Sequence, residues 1–434
     1  MFNYINDDGL KVEPEWYCPI IPTVLVNGAE GIGTGWSTKV PNYNPRELIA
    51  NLKLMINGQE TKPMKPYYKN FRGKIEQIDD FRVLTSGEVA IIGENTIEIT
   101  ELPIGVWTQA YKENVLEPCL HGTGTGNEKD AKASQAPTIM DYREYHTDTT
   151  VRFVVKFTPE QFTSAQRTGF HKMFKLQKTL SLNSMVLFDH NGCLKRYESP
   201  REIMREFFVV RSELYKKRKE YMEGMLGSES LKLDNIARFI MEKIEGKIKV
   251  ENLKKAEICG ILKSRNYDPD PVVKWKQRIS REDGHESNEL DSANADNEEE
   301  SSSSDDKKDY DYLLGMPIWN LTMEKKEDIL KQQKAKGDEL ARLKAKTPNQ
   351  LWQDDLDQFL AELDKYEAKE KEEESVSQLK AFKASINQKG NTAGARSKAP
   401  TTFSKTTKLE YLPTENAERV EPEIDPALIA KVNK

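Results

Sequence analysis

The sequence predicts a mixed α+β globular domain followed by two long amphipathic helices able to pair antiparallel. Three observations carry this. Short alternating runs bounded by Gly, Asn and Ser fill residues 71–102. Apolar residues at 203, 207, 210, 214, 221 and 225 recur at steps of four and three, with one polar gap at Lys217. Trp352, Leu356, Phe359, Leu363 and Tyr366 repeat that spacing further on. A stripe of this kind marks a helix that buries one seam against a partner. It also fits two amphipathic helices lying on an ordinary helical domain.

Taken in order, "CPIIPTVLV" (18–26) reads as a short buried strand ended by Asn27-Gly28. After "NGAEGIGTGWS" (27–37), Asn44-Pro45-Arg46-Glu47 is a helix start: Asn44 caps, Pro45 suits the first helical position, and Glu47 can complete a capping box. Leu48, Ile49, Leu52 and Met55 form its apolar face. Antiparallel strands follow, with turns at Ser86-Gly87 and Gly93-Glu94. "VWTQAYKENVLEPCL" reads as helix, "TTVRFVVKFT" as strand, and "PEQFTSAQRTGFHKMFKL" as helix. The first seam helix begins at "PREIMREFF", and "SLKLDNIARFIMEKIEGKI" reads as a separate, shorter helix. Residues 281–308, rich in Asp, Glu, Ser and Asn, hold too little apolar surface to fold. A charged helix over 323–346 leads to a second cap-plus-proline start at Thr347-Pro348. From Val376 to Leu409 there are 7 basic residues and no acidic ones, so this stretch reads as a flexible basic tail.

Residues 1–280 carry 41 Lys and Arg against 37 Asp and Glu, whereas 281–310 carry 3 against 12. A mildly basic body with an acidic insert is compatible with nucleic-acid binding without requiring it. Cys18, Cys119, Cys193 and Cys259 lie far apart, with no CxxC and no histidine at ligand spacing. Reduced intracellular thiols are expected, and no metal site. The N-terminal stretch lacks a signal peptide's basic and apolar regions, and no run of 18 apolar residues suggests a membrane span.

Three candidate sites emerge. Gly28, Gly31, Gly33 and Gly35 follow an apolar run and superficially resemble a dinucleotide loop. Phosphate binding needs a helix starting at the loop, but Trp36, Val40 and Pro41 intervene, and no phosphate-loop motif occurs anywhere. The same glycines can instead strip bulk from around Ile32 and leave it as a wedge against DNA, with Lys39 and Arg46 near enough to neutralise phosphates. The alternative is that Ile32 packs into the core and the glycines merely make turns. Secondly, "DYREYHTDTT" gathers Tyr142, Arg143, Glu144, Tyr145, His146 and Asp148, either around a general base or as a polar strand edge. Thirdly, Asp7-Asp8 and Asp305-Asp306 are adjacent pairs whose side chains diverge in an extended chain, which makes poor two-metal sites.

The strings "VEPEWYCPIIPTVLVNGAEGIGTGWSTKVPNYNPRE" (12–47), "YYKNFRGKIE" (67–76), "IEITELPIGVWTQAYKENVLEP" (97–118), "DYREYHTDTTVRFVVKF" (141–157), "FKLQKTLSLNSMVLFD" (174–189), "YLLGMPIWNLT" (312–322) and "LWQDDLDQF" (351–359) resemble, in order, segments of eukaryotic type IIA DNA topoisomerase. The resemblance covers residues 3–373. It implies an α+β fold in which a mixed α/β tower precedes a long antiparallel coiled coil with a small helical gate. Residues 1–12 would end a winged-helix domain and 13–192 would be the tower. Residues 193–280 would hold one coiled-coil arm and gate helices, and 281–308 a disordered acidic insert. Residues 309–373 would complete the gate and returning arm, and 374–434 would be a disordered basic tail. The family's DNA-bending isoleucine matches Ile32. Gly31, Ile32, Gly33, Thr34, Lys39 and Arg46 are then the expected DNA contacts, and Tyr312, Leu313, Leu314, Met316 and Trp319 the expected dimer gate.

The resemblance also implies double-stranded DNA as partner, a homodimer or a heterodimer with a full-length topoisomerase II, a nuclear location and no membrane. The family's nucleophile is a tyrosine preceded by an arginine in the winged-helix domain. Arg196-Tyr197, the only such pair here, lies at the start of the coiled-coil arm, in the wrong context. The chain is therefore expected to bind no cofactor and to cut no DNA by itself, Mg²⁺ and ATP being implied for the complete enzyme. Two accounts follow: the bending and gate portion of a topoisomerase II, or a truncated, non-catalytic paralogue acting as a dimeric DNA-binding scaffold on chromatin.

Overall fold

The computed structural model describes residues 4–8, 10–79, 81–122, 136–147, 149–248, 253–282, 310–316, 323–390, 413–414, 416–425 and 428. They form two compact units. The first comprises residues 19–208 and 356–434, the second residues 1–18 and 209–355.

A hairpin of β1 (Tyr4–Asp7) and β2 (Leu10–Pro14) opens the chain and belongs to the second unit. The first unit starts with α1 (Thr23–Asn27), where a strand was expected. Pro19 and Pro22 carry no N–H for a ladder, and a short apolar run does not by itself distinguish strand from buried helix. Pro22 sits at the N-cap and the Leu25 amide donates to its carbonyl at 3.0 Å, burying Leu25. The hairpin β3 (Ala29–Ile32) and β4 (Ser37–Val40) follows, then α2 (Pro45–Ile56). Asn44 caps α2 by accepting from the Arg46 amide at 2.9 Å. Leu48, Ile49 and Leu52 are buried on its inner face.

Two antiparallel sheets come next. Strands β5 (Lys74–Asp79) and β6 (Arg82–Ser86) belong to one, β7 (Glu88–Gly93) and β8 (Thr96–Glu101) to the other. Ser86-Gly87, expected as a hairpin turn, is instead where the chain changes sheets. Gly87 is required there, because a Cβ would lie 2.4 Å from the Glu101 carbonyl oxygen. A helical stretch of α3 (Thr108–Tyr111), a π-helical turn (Lys112–Leu116) and α4 (Glu117–His121) covers the larger sheet's core. Then come β9 (Asp141–Glu144), β10 (Phe153–Lys156), α5 (Pro159–Thr168), α6 (Phe170–Met173), β11 (Gln177–Ser181), and the hairpin β12 (Met185–Phe188) with β13 (Leu194–Tyr197). Strand β11 joins β6. The core beneath β8 and β10 is made of Val89, Ile97, Ile99, Tyr111, Phe153, Val155, Phe157 and Phe174.

His171 is buried in α6, with its Nε2 3.2 Å from the Gly87 carbonyl oxygen. Burial holds its pKa below the ordinary histidine value of 6.5. A folded pKa depressed in this way leaves stability complete above the unfolded value and erodes it as pH falls through 6.5 toward the folded pKa. The urea midpoint of the first unit should therefore drop between neutral and mildly acidic pH. His171→Gln should flatten that slope in paired urea titrations.

Helix α7 (Pro200–Ile244) is continuous where two helices were expected. Gly224 does not break it. A Cβ there would lie 2.3 Å from the Trp275 indole nitrogen, so the glycine admits Trp275 of α9 (Pro271–Glu282). Tyr221 packs edge-on to the same indole, with ring centres 4.8 Å apart. Helices α8 (Lys255–Ser264) and α10 (Asp311–Leu314) complete a small core with Phe239, Ile248, Leu262, Tyr267 and Tyr310.

Helix α11 (Met323–Ala345) meets α7 at Ile329 with Ile240, Gln333 with Asp234, and Lys336 with Glu229. Its residue numbers rise as those of α7 fall, so the two helices run antiparallel. Helix α12 (Pro348–Gly390) starts from Thr347, which exchanges capping bonds with Gln350. Trp352 stacks on Tyr215 at 5.3 Å, and Tyr215 Oη donates to Asp355 at 2.6 Å. The expected seam on this helix is buried at Trp352 and Leu356, but Tyr366 is 61% exposed. Beyond Leu356 the helix is held by ion pairs to the first unit's own residues: Lys53 with Asp357, Arg46 with Asp364 and Glu367, and Lys69 with Glu370.

The expectation of an unstructured tail over 374–434 is corrected at two places. Helix α12 runs on to Gly390, and β14 (Glu418–Arg419) adds a fifth strand to the larger sheet, in the order β14-β7-β8-β10-β9. The basic composition covers residues 376–409 and the resemblance extended the tail to 434; a pairing to β7, far back in the sequence, orders Glu418 and Arg419. Most of the acidic insert, 283–308, lies outside the described residues.

Candidate nucleic-acid interface

The β3–β4 hairpin pairs Ala29 with Val40, Glu30 with Lys39, Gly31 with Thr38 and Ile32 with Ser37. Its base is locked. Gly28 has φ +67° and leaves no room for a Cβ, with Asn42 Oδ1 at 2.5 Å and the Val40 carbonyl oxygen at 2.8 Å from that position. The Asn42 amide donates to the Val26 and Asn27 carbonyls at 3.1 and 3.0 Å. The β4 strand is steadied by the Lys39 amide donating to the Ser184 carbonyl at 2.8 Å, which ties it to the segment leading into β12.

The tip is closed by the Gly33 amide donating to the Trp36 carbonyl at 2.8 Å, and Gly35 takes φ +76°. Ile32 is 94% exposed, so the alternative of core packing does not hold. An exposed isoleucine forgoes roughly 2 kcal/mol of burial free energy. A Cβ at Gly31 would meet nothing within 4 Å, and one at Gly33 only the Trp36 carbonyl oxygen at 3.7 Å. Internal packing thus does not demand glycine at either position. The small residues keep the flanks of Ile32 bare.

Thr34 is exposed at the tip. Trp36, read from the sequence only as a residue between the loop and the next helix, is also exposed. Lys39 pairs with Glu30 at 2.9 Å across the hairpin. The Arg46 guanidinium is shared by Asp364 and Glu367 at 2.6 and 2.7 Å. The two cations expected to serve Ile32 therefore have carboxylate partners of their own.

The other candidates resolve differently. Tyr142 Oη donates to Glu117 at 2.6 Å, Glu144 pairs with Lys112 at 3.0 Å, and the His146 ring packs by Phe153 at 5.6 Å. This is a polar strand edge in which Tyr142 and Glu144 have partners of their own; Asp148 lies outside the described residues. Burial and the Glu206 carboxylate hold the Tyr197 phenol well above its ordinary pKa, which is poor chemistry for a nucleophile. Among the described residues, Asp189, His190 and Glu206 bring metal-type donors together. Glu206, however, already accepts from the Lys195 ammonium at 2.7 Å. A hard cation such as Mg²⁺ wants several free oxygens, and these residues do not fit it.

Of the expected gate residues, Leu313 is buried in its own chain's small core. Tyr312 Oη donates to the Asp268 carbonyl at 2.7 Å, and its ring lies 5.4 Å from the Lys232 ammonium. Leu314 and Met316 are partly buried against the same cluster, and Trp319 lies outside the described residues. All four cysteines are free thiols. No helix among the described residues is long and apolar enough to cross a membrane.

The bare apolar tip stands on a locked hairpin in a unit of antiparallel sheets, and the chain that carries it has known relatives. The chain belongs to the DNA gyrase/topoisomerase IV A-subunit family, which it matches over residues 1–357. Within that class its relatives are eukaryotic type IIA topoisomerases. It is 48% identical to DNA topoisomerase 2-alpha of Sus scrofa over 435 residues, 99% of this chain and 26% of that protein. It is 49% identical to human DNA topoisomerase 2-beta over 376 residues, 86% of this chain and 22% of that one. A solved structure, the Plasmodium falciparum topoisomerase II DNA-binding, cleavage and re-ligation domain, superposes with TM-score 0.66 at 35% identity, covering 85% of this chain and 48% of that one. The chain spans about a quarter of the length of the topoisomerase 2-alpha relatives.

Proposed function

We propose that this chain supplies the DNA-bending and dimer-gate portion of an ATP-dependent type II DNA topoisomerase, which passes one duplex through a transient double-strand break in another. The observation that carries this is Ile32, almost fully exposed on a hairpin whose base is rigid and whose flanks are bare. An aliphatic side chain so presented can enter a base step from the minor groove and unstack it. Gly31, Gly33 and Thr34 let the backbone approach the duplex. Lys39 and Arg46 reach phosphates by exchanging their carboxylate partners, a step that exposed ion pairs allow because they are worth about 1 kcal/mol or less.

On this reading the unit carrying Ile32 is the tower, and α7 with α11 and the start of α12 forms the antiparallel coiled coil. The cluster around Tyr312, Leu313, Leu314 and Met316 shapes the gate, with Leu313 as its internal support. Strand cleavage with Mg²⁺ and the use of ATP are assigned to no residue of this chain. The relatives are eukaryotic, and the nucleus is the proposed location.

Two measurements test the reading. A duplex of about 30 base pairs carrying a fluorophore at each end should shorten end to end when the chain binds. Affinity should fall steeply between about 50 and 200 mM salt, as phosphate contacts require. Binding without shortening would remove the wedge. Sedimentation at about micromolar concentration should show a dimer; a monomer at every accessible concentration would remove the gate.

A further inference from the structure

The C-terminal segment is attached in an unusual way. Its ladder with β7 is only two residues long, pairing Glu418 with Ile91 and Arg419 with Ala90. One further main-chain bond follows, the Val420 amide to the Val89 carbonyl at 3.0 Å. Pro422 then lacks the donor needed to continue. A strand this short adds little cohesion of its own, since strands in globular proteins commonly run to about five or six residues.

Side chains do the rest: Arg419 pairs with Glu88 at 2.9 Å, and three further points follow. At the first, the Glu98 carboxylate, 1% exposed, accepts from the Thr414 amide at 3.0 Å and from its hydroxyl at 2.9 Å. Arg152 holds Glu98 at 3.1 Å and reaches the Thr414 hydroxyl at 3.3 Å. At the second, Val420 packs on the edge of the main core. At the third, Gln177 donates to the Glu423 carbonyl at 2.9 Å and accepts from the Asp425 amide at 3.2 Å, while Lys172 pairs with Asp425 at 3.3 Å. Lys74 lies 3.6 Å from Glu421. The central core of Ile97, Ile99, Phe153 and Val155 is closed by other elements of the unit.

We propose that the outer edge of β7, with Glu98, Arg152, Gln177 and Lys172, is a docking site for an extended acidic peptide, and that the segment holding Thr414 and residues 416–425 is its exchangeable ligand, bound in cis. Main-chain pairing supplies part of the affinity and the spaced side-chain pockets set the register, as in strand addition to a sheet edge. The occupied edge is also protected from pairing with a second sheet. The site is independent of the wedge, so the two proposals fail separately.

The test uses the full chain with a specific protease site inserted between Gly390 and Pro413. After cutting, the C-terminal piece should co-elute with the body in gel filtration. A fluorescein-labelled peptide of residues 413–426 should then replace it, read as a rise in anisotropy. The same peptide carrying Thr414→Ala should bind about tenfold more weakly, since it loses a hydroxyl bond to a charged group. Val420→Asp should abolish binding. In the uncut chain, the Val420 amide should exchange hydrogen well before the Val155 amide. Three results would overturn the proposal: a cut piece that never exchanges, a body that unfolds once cut, or a piece that leaves while the labelled peptide fails to bind. The first two would make the segment an integral strand; the third would leave the edge without affinity for it.

Discussion

Replacing Ile32 with alanine is expected to reduce the bent fraction of bound duplex about tenfold or more, while folding stability stays within about 0.5 kcal/mol of the parent. The two halves of this expectation come from one fact. Ile32 is 94% exposed, so its removal loses no core contact. Unstacking a base step costs a few kcal/mol, and an inserted aliphatic side chain offsets that cost only if it fills the gap it opens. Alanine is too short to do so. Phosphate neutralisation does not depend on residue 32, so affinity should fall less than bending. Ile32→Leu keeps the volume and should restore most of the bend. The measurements are end-to-end energy transfer in the labelled duplex, binding by anisotropy, and a urea midpoint. Loss of affinity and bend in equal proportion would make Ile32 an ordinary surface contact, and loss of folding would make it structural.

Arg152→Met should destabilise the first unit by about 3 kcal/mol. Glu98 is buried with the Arg152 guanidinium as its ionic partner at 3.1 Å, and that guanidinium also lies 5.4 Å from the Tyr145 ring. Removing the cation strands a carboxylate inside the sheet, which typically costs about 3–5 kcal/mol. The lower figure applies because the Thr414 amide and hydroxyl still donate to Glu98. The double variant Arg152→Met, Glu98→Leu should recover most of the loss, because no charge then remains to be compensated. Urea unfolding of the parent, both single variants and the double variant closes the cycle. A single variant as stable as its parent would show that Glu98 is adequately held without Arg152.

What was legible in the sequence was local. Asn44-Pro45 and Thr347-Pro348 each place a capping side chain and a fixed φ next to each other, and the helices begin where those residues put them. The π-helical turn inside the expected 106–120 helix was invisible, because its apolar spacing is still helical. The glycine-rich run was readable as a loop, although it folds as the β3–β4 hairpin. Its exposure was not, because nothing local separates an isoleucine that turns inward from one that stands out. The acidity of Asp364 and Glu367 did not reveal that they would occupy Arg46, which lies some three hundred residues earlier.

By itself, then, the sequence determined most of the alternating strands, the capped helix starts and the small residues around Ile32. All of these depend on torsions and spacings within a few residues. Tertiary structure alone decided that α7 runs unbroken past Gly224, that Gly87 marks a change of sheet, and that Glu418 and Arg419 close the edge of β7. Each of these rests on a partner distant in the chain: Trp275 for Gly224, Glu101 for Gly87, and Ala90 and Ile91 for β14. Local periodicity carries no record of such partners, since they are chosen only when the folded core brings their surfaces together.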